Sequence, residues 1–187
     1  MKIRTFVAAV SAVALMALAC GAPAFAETTV MVGGAAMYPS KNIIQNAVNS
    51  KDHTTLVTAV KAAGLVETLE GPGPFTVFAP TNEAFDKVPP GTLANLLKPE
   101  NKDMLRKILT YHVVPGDLSA ADLMSKARMS GGKAELKTVE GDPLWVSVKD
   151  GHVWVQDETG HSAEVTIANV KQSNGEIHVI DTVLMPK

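Results

Sequence analysis

The sequence predicts an α+β fold, and three observations carry that expectation. From Ser40 to His112, apolar residues recur mostly at three- and four-residue steps, the spacing of one helical face. From Glu135 onward the pattern changes to alternation, the spacing of a strand with one buried face. Between two of those alternating runs stands Asp150-Gly151, a pair that tolerates the left-handed conformations of a two-residue hairpin turn. Helical segments first and antiparallel strands afterwards is the order of an α+β domain, not of alternating βαβ units.

The elements follow in order. Pro39-Ser40 opens the first expected helix, with Ser40 as cap and Ile43, Ile44, Ala47 and Val48 on one face. Asn49 to Asp52 interrupts it, and Asp52 is expected to cap a second helix. That helix carries Leu56, Val60 and Ala63 and stops at Gly64. Leu65 to Leu69 reads as a short helix, and Gly71-Pro72-Gly73-Pro74 forces a turn. Phe75 to Ala79 is a buried strand halted by Pro80, and Thr81-Asn82 leads into a short helix over Glu83–Lys87. Leu93, Leu96 and Leu97 form another apolar turn. Asp103 to His112 is a helix with Leu105, Ile108, Leu109 and His112 on one face, ended by Val113-Val114-Pro115-Gly116. Ala120 to Ser125 adds a turn. Strands are expected over Glu135–Val139, Leu144–Lys149, His152–Asp157, Ala163–Val170 and Glu176–Leu184. The tight loop pairs Val148 with Val153 and Val146 with Val155. Trp145, Ser147 and Trp154 are left on the opposite face.

The 187 residues suffice for one domain with its own core. Met1-Lys2-Ile3-Arg4, the apolar run Phe6 to Ala19 and Ala24-Phe25-Ala26 together form a secretory signal, too short for a membrane span. The organisation expected is a signal at 1–26 cut near Ala26/Glu27, a flexible leader at 27–37, and the domain at 38–187. The mature chain is then periplasmic or secreted. Cys20 after Leu18-Ala19 offers a competing lipid-attachment site, but Ala17 stands where such sites usually carry Leu. Cys20 is also the only cysteine, so the mature chain has neither disulfide nor thiolate chemistry. Loss of Lys2 and Arg4 takes the formal net charge from −2 to −4. A mildly acidic chain without a basic run argues against nucleic acid as a partner. A monomer is expected.

"FTVFAPTNEAF", Phe75 to Phe85, resembles the first signature of the fasciclin (FAS1) domain. "SNGEIHVIDTVLMP", Ser173 to Pro186, resembles the second, and "YHVVPG", Tyr111 to Gly116, the Tyr-His element between them. The resemblance covers about Tyr38 to Lys187 and is similar to the single-domain exported form of bacteria. It implies a wedge in which a twisted, antiparallel, sandwich-like sheet carries a layer of short helices. It also implies a non-enzymatic module for adhesion to a cell-surface or matrix macromolecule, protein or polysaccharide, with the Tyr111-His112 element taking part in adhesive binding.

The candidate residues divide accordingly. Thr81 or Asn82 has the chemistry of a helix cap, with Glu83 in the first turn, and no neighbouring base could activate Thr81 as a nucleophile. Tyr111, His112 and Val113 are the expected contact residues; the plainer role of His112 is a hydrogen bond from its ring to a backbone carbonyl. His178 and Asp181 look catalytic as a pair, yet no nucleophile elbow accompanies them. They are read, with Asn174 and Gly175 of the turn, as structural, and an enzyme using Asp181 or His178 stays a remote third reading. His53, His112, His152, His161 and His178 show no metal-binding spacing, so neither metal nor cofactor is expected. Asn101-Lys102-Asp103 resembles an adhesive peptide of animal fasciclin domains but lies in the wrong part of the chain; Asn101 is read as a cap. Ala168 to Lys171, at the corresponding place, lacks the acidic residue. Trp145 and Trp154 are either core or an exposed patch. As a patch they would serve the alternative function, binding of a polysaccharide or small ligand.

Overall fold

The chain builds a helical layer first and then curls a sheet beneath it. The computed structural model describes residues 28–187, so the signal segment, Cys20 and the Ala26/Glu27 cut lie outside the described residues. Strands β1 (Val30–Val32) and β2 (Ala35–Met37) precede helices α1 (Ile43–Ala47), α2 (Thr54–Ala63) and α3 (Val66–Glu70). Strand β3 (Phe75–Pro80) is followed by α4 (Asn82–Asp86), α5 (Pro90–Leu96) and α6 (Lys102–Tyr111). Strand β4 (Val113–Pro115) and helix α7 (Ala120–Met129) lead to β5 (Lys133–Lys137), β6 (Pro143–Lys149), β7 (His152–Gln156), β8 (Ser162–Gln172) and β9 (Gly175–Ile180).

Seven strands join in the order β4-β3-β9-β8-β7-β6-β5. The two edges approach each other, since the Val139 N–H donates to the Val113 carbonyl at 2.8 Å. The sheet is therefore nearly closed and mostly antiparallel. Its one parallel pair, β3 with β9, sets Phe75 opposite Gly175 and Pro80 opposite Ile180. Those partners lie in the two signatures, so the signatures are neighbours in space. The β6–β7 register is the one expected, with Val148 opposite Val153 and Val146 opposite Val155. Asp150 (φ 52°) and Gly151 (φ 83°) supply the left-handed pair of the turn.

Alternation along the strands feeds two apolar clusters. Val77, Ala79, Ile177 and Val179 face the helical layer and pack on Leu56, Val60, Leu105 and Leu109. Phe78, Ile180, Leu144, Val146, Val153 and Val155 face the interior of the curled sheet, where Leu123 of α7 joins them. An apolar cavity of about 40 Å³ remains between helices and sheet, bordered by Leu56, Ala79 and His53.

Several local expectations are corrected. Residues 27–37 were expected to be a flexible leader, but β1 and β2 form a hairpin in which Val30 pairs with Met37, and Val32 and Met37 are buried. Two short strands that reach their core only through distant helices leave no clear local pattern. The cap of α1 is Asn42 rather than Ser40: its side chain accepts from the Gln45 N–H while Gln45 answers on the Asn42 N–H. Asp52 does not cap α2, and Asn101 makes no side-chain cap for α6.

Candidate functional site

The Thr81-Asn82 corner is a folding device with two ends. Thr81 caps its own helix, its hydroxyl accepting from the Ala84 N–H at 3.2 Å. Asn82 caps a different helix. Its carbonyl oxygen accepts from the Thr55 N–H (3.0 Å) and the Thr54 hydroxyl (3.2 Å), and its amide donates to the Lys51 carbonyl (2.8 Å). One free amide at the start of α2, that of Thr55, is thus satisfied from the first residue of α4, a bond across 27 residues. Glu83 is exposed in the first turn of α4.

Tyr111, His112 and Val113 are not a surface. Their exposures are 0%, 2% and 4%. The Tyr111 hydroxyl donates to the Pro143 carbonyl at 2.7 Å and accepts from the Glu158 N–H at 3.3 Å. Burial pushes its phenol well above the usual range. His112 Nε2 accepts from the Leu184 N–H at 3.0 Å, so the proton sits on Nδ1, which donates to the Ile108 carbonyl at 2.8 Å. Burial lowers the His112 pKa to about 4, keeping the ring neutral. The ring fastens the end of α6 to the C-terminal segment. These side chains, expected as contact residues, are buried: Tyr111 and His112 are hydrogen-bonded within the chain and Val113 packs in the core.

The second signature is equally occupied. Asn174 accepts from the Ile43 N–H (3.1 Å) and donates to the Leu69 (2.7 Å) and Gly71 (3.0 Å) carbonyls. A Cβ on Gly175 would stand 1.9 Å from the Phe75 carbonyl oxygen, so the β3–β9 approach requires glycine. His178 receives the Asn169 N–H on Nδ1 (3.3 Å), donates from Nε2 to the Leu118 carbonyl (2.8 Å), and stacks on Phe78. Asp181 accepts from the Glu164 N–H (2.8 Å) and pairs with Lys87 (3.1 Å). Burial works to raise its pKa, but these donors outweigh burial and hold it below the usual value. Both side chains are thus bonded within the chain. Among the described residues, no three His, Cys, Asp or Glu side chains come together as a metal site.

Trp145 and Trp154 are placed differently. Both lie partly buried on the outer face of the β5–β7 sheet, while Leu144, Val146, Val153 and Val155 alternate with them into the core. Trp154 is opposite Ser147, and Trp145 is opposite Gln156 on β7 and Glu135 on β5. The two tryptophans are therefore diagonal neighbours on adjacent strands, at backbone positions about 7–8 Å apart. The Lys133 ammonium lies 4.9 Å from the centre of the Trp145 ring, and that of Lys149 lies 5.4 Å from Trp154. α7 packs against the opposite, core side through Leu123.

Sequence reasoning missed three groups. Lys133 and Lys149 join the tryptophans only through cross-strand register. Asp157, at the end of the expected strand His152–Asp157, is buried and accepts from the Thr159, His161 and Met185 amides, each at 2.9 Å. Glu176 is fully buried; Lys171 reaches one of its oxygens at 2.6 Å while the other has no partner. Burial raises the Glu176 pKa in spite of that lysine. Buried charge on a strand of otherwise apolar type carries no local signal.

Comparison with known proteins agrees with this geometry. The Fasciclin domain family model matches residues 51–186. Protein sll1483 of Synechocystis is 46% identical over 180 residues, covering 92% of this chain and 93% of that protein. Immunogenic protein MPB70 of Mycobacterium bovis is 33% identical over 208 residues, covering 100% of this chain and 99% of its own. A FAS1 domain pair from the insect cell adhesion molecule fasciclin I superposes with a TM-score of 0.71 at 18% identity, over 85% of this chain and 58% of that one. The signatures, the nearly closed mixed sheet and these matches agree: the chain belongs to the fasciclin domain family.

Proposed function

We propose that this chain is an exported adhesion domain that engages a cell-surface or matrix macromolecule through the outer face of β5–β7. The observation that carries the reading is the contrast between two aromatic sites. Tyr111 and His112 are sealed in the core, whereas Trp145 and Trp154 share an outward sheet face rimmed by exposed lysines. Partly buried aromatic side chains with a polar rim are the usual anchors of an interface. The adhesive role is supported by the fold shared with an insect cell adhesion molecule. Export is supported by the signal-like start of the sequence. Tyr111, His112 and Val113 then shape the domain rather than touch the partner. A polysaccharide is the second reading of that partner, favoured by the flat indole faces. The test is binding of the mature chain to its own cell-envelope fraction and to extracellular matrix. A Trp145→Ala/Trp154→Ala variant that melts normally but no longer binds supports the proposal. Undiminished binding by that variant contradicts it.

A further inference from the structure

Resting on that reading of the tryptophan face, we infer that its occupant is an acidic, uronate-type polysaccharide. The face offers the two kinds of contact such a polymer needs, in alternation. Each indole can stack on the C–H side of a sugar ring. Each carries an ammonium over its ring, 4.9 Å from the centre of Trp145 and 5.4 Å from that of Trp154, and a flexible lysine that swings aside from the face can pair with a carboxylate on the stacked sugar.

The spacing suits a polymer rather than a single sugar. Trp145 and Trp154 stand at diagonal backbone positions about 7–8 Å apart on adjacent strands, so the face presents two aromatic platforms to neighbouring sugars of a chain. Ser147, opposite Trp154, adds a hydroxyl beside the tryptophans, and Gln156, opposite Trp145, is bonded to Lys133 and to the Gly160 carbonyl. The base is rigid, because the tight Asp150-Gly151 turn fixes the β6–β7 register.

Charge selects an acidic polymer. Lys133, Lys137 and Lys149 all project from the outer side of β5 and β6 and are exposed. Acidic groups on that side are Glu135, between Lys133 and Lys137 on β5, and Glu164, whose carboxylate lies 2.9 Å from the His152 ring, so three lysines face two carboxylates. A locally cationic patch on a chain of net charge −2 complements a carboxylated glycan. Lys133 now bonds Gln156 at 2.6 Å, and exchanging that bond for a sugar carboxylate exposes the Trp145 ring without moving the backbone.

The test is tryptophan fluorescence titration of the mature chain with polygalacturonate, dextran and an oligothymidylate. Saturable change is expected with polygalacturonate alone, and it should weaken as salt rises. Lys133→Ala/Lys149→Ala, at exposed positions, should keep the wild-type melt and lose about tenfold or more in affinity. Trp145→Ala should lose at least as much, read by polymer retardation in gels because a fluorophore is removed. Equal response to dextran, tighter response to the oligothymidylate, or unchanged affinity in the lysine variant would each overturn the inference. So would no response to polygalacturonate. If envelope binding still depends on the tryptophans in that case, the adhesion reading stands and only the choice of polymer fails.

Discussion

Replacing His112 by Phe separates a structural histidine from a binding one. The substitution keeps an aromatic ring of similar bulk and removes both ring hydrogen bonds, to the Ile108 carbonyl and from the Leu184 N–H. Each buried backbone group left without a partner costs about 1–3 kcal/mol, so the pair costs about 2–6 kcal/mol. At about 2–4 °C per kcal/mol for a chain of this size, Tm should fall by at least about 4 °C at pH 7. The pH dependence gives an independent check. The folded pKa of about 4 lies below the ordinary 6.5, so between those values the unfolded chain binds more protons than the folded one. Stability therefore drops as pH falls from 7 to 4, by about 3 kcal/mol from this residue. His53 and His178, also lowered by burial, add in the same direction, and Glu176, raised by burial, opposes them. The contribution of His112 is isolated by urea unfolding of both proteins at pH 7, 6 and 5. The variant should be less stable at pH 7 and lose less on acidification. Parallel curves with the same pH slope would refute the assignment of a buried, neutral His112.

Other sites give equally direct expectations. Thr81→Ala should cost about 1 kcal/mol, and Asn82→Ala about 2 kcal/mol because it uncaps α2 and frees the Lys51 carbonyl as well; equal losses in urea melts would count against the capping from a distance. Gly175→Ala drives a Cβ onto the Phe75 carbonyl oxygen, so the cost should exceed about 4 kcal/mol and soluble yield should collapse; a near-normal melt would show that β3 and β9 are not held at this distance. Lys171→Met leaves the buried Glu176 carboxylate without its counter-charge, at about 1–3 kcal/mol once the half-exposed lysine is discounted for screening. Glu176 has a raised folded pKa, so that loss should grow as pH rises, and Glu176→Gln in the same chain should recover it at pH 8. A deficit independent of pH would argue that Lys171 acts through packing alone.

The parts of the fold that sequence revealed are those with local causes. The α6 face, the Gly64 stop and the β6–β7 register follow from spacing and turn chemistry within a few residues. The parts that stayed hidden depend on distant partners. The β3–β9 pairing joins segments about 100 residues apart, and nothing near Phe75 signals a parallel neighbour. Asn82 looks like a cap for its own helix, and its real role depends on where α2 starts in space. The candidate site divides in the same way. Alternation placed both tryptophans on the outer face, but Lys133 reaches Trp145 only because β5 is the strand beside β6. For Tyr111-His112, burial was decided by the Pro143, Glu158 and Leu184 backbone groups, none of them within 30 residues.

The central claim is that the domain meets its partner on the tryptophan face and not at the Tyr111-His112 element. Hydroxyl-radical footprinting of the mature chain, free and bound to its envelope or matrix target, tests this most directly. Trp145 and Trp154 are partly open to oxidant in the free domain, and Met104 on α6, 59% exposed, serves as an internal reference. The account expects both tryptophans to be protected on binding while Met104 oxidises at its free rate. Protection of Met104 with unchanged tryptophans would place the partner on the helical layer and contradict it.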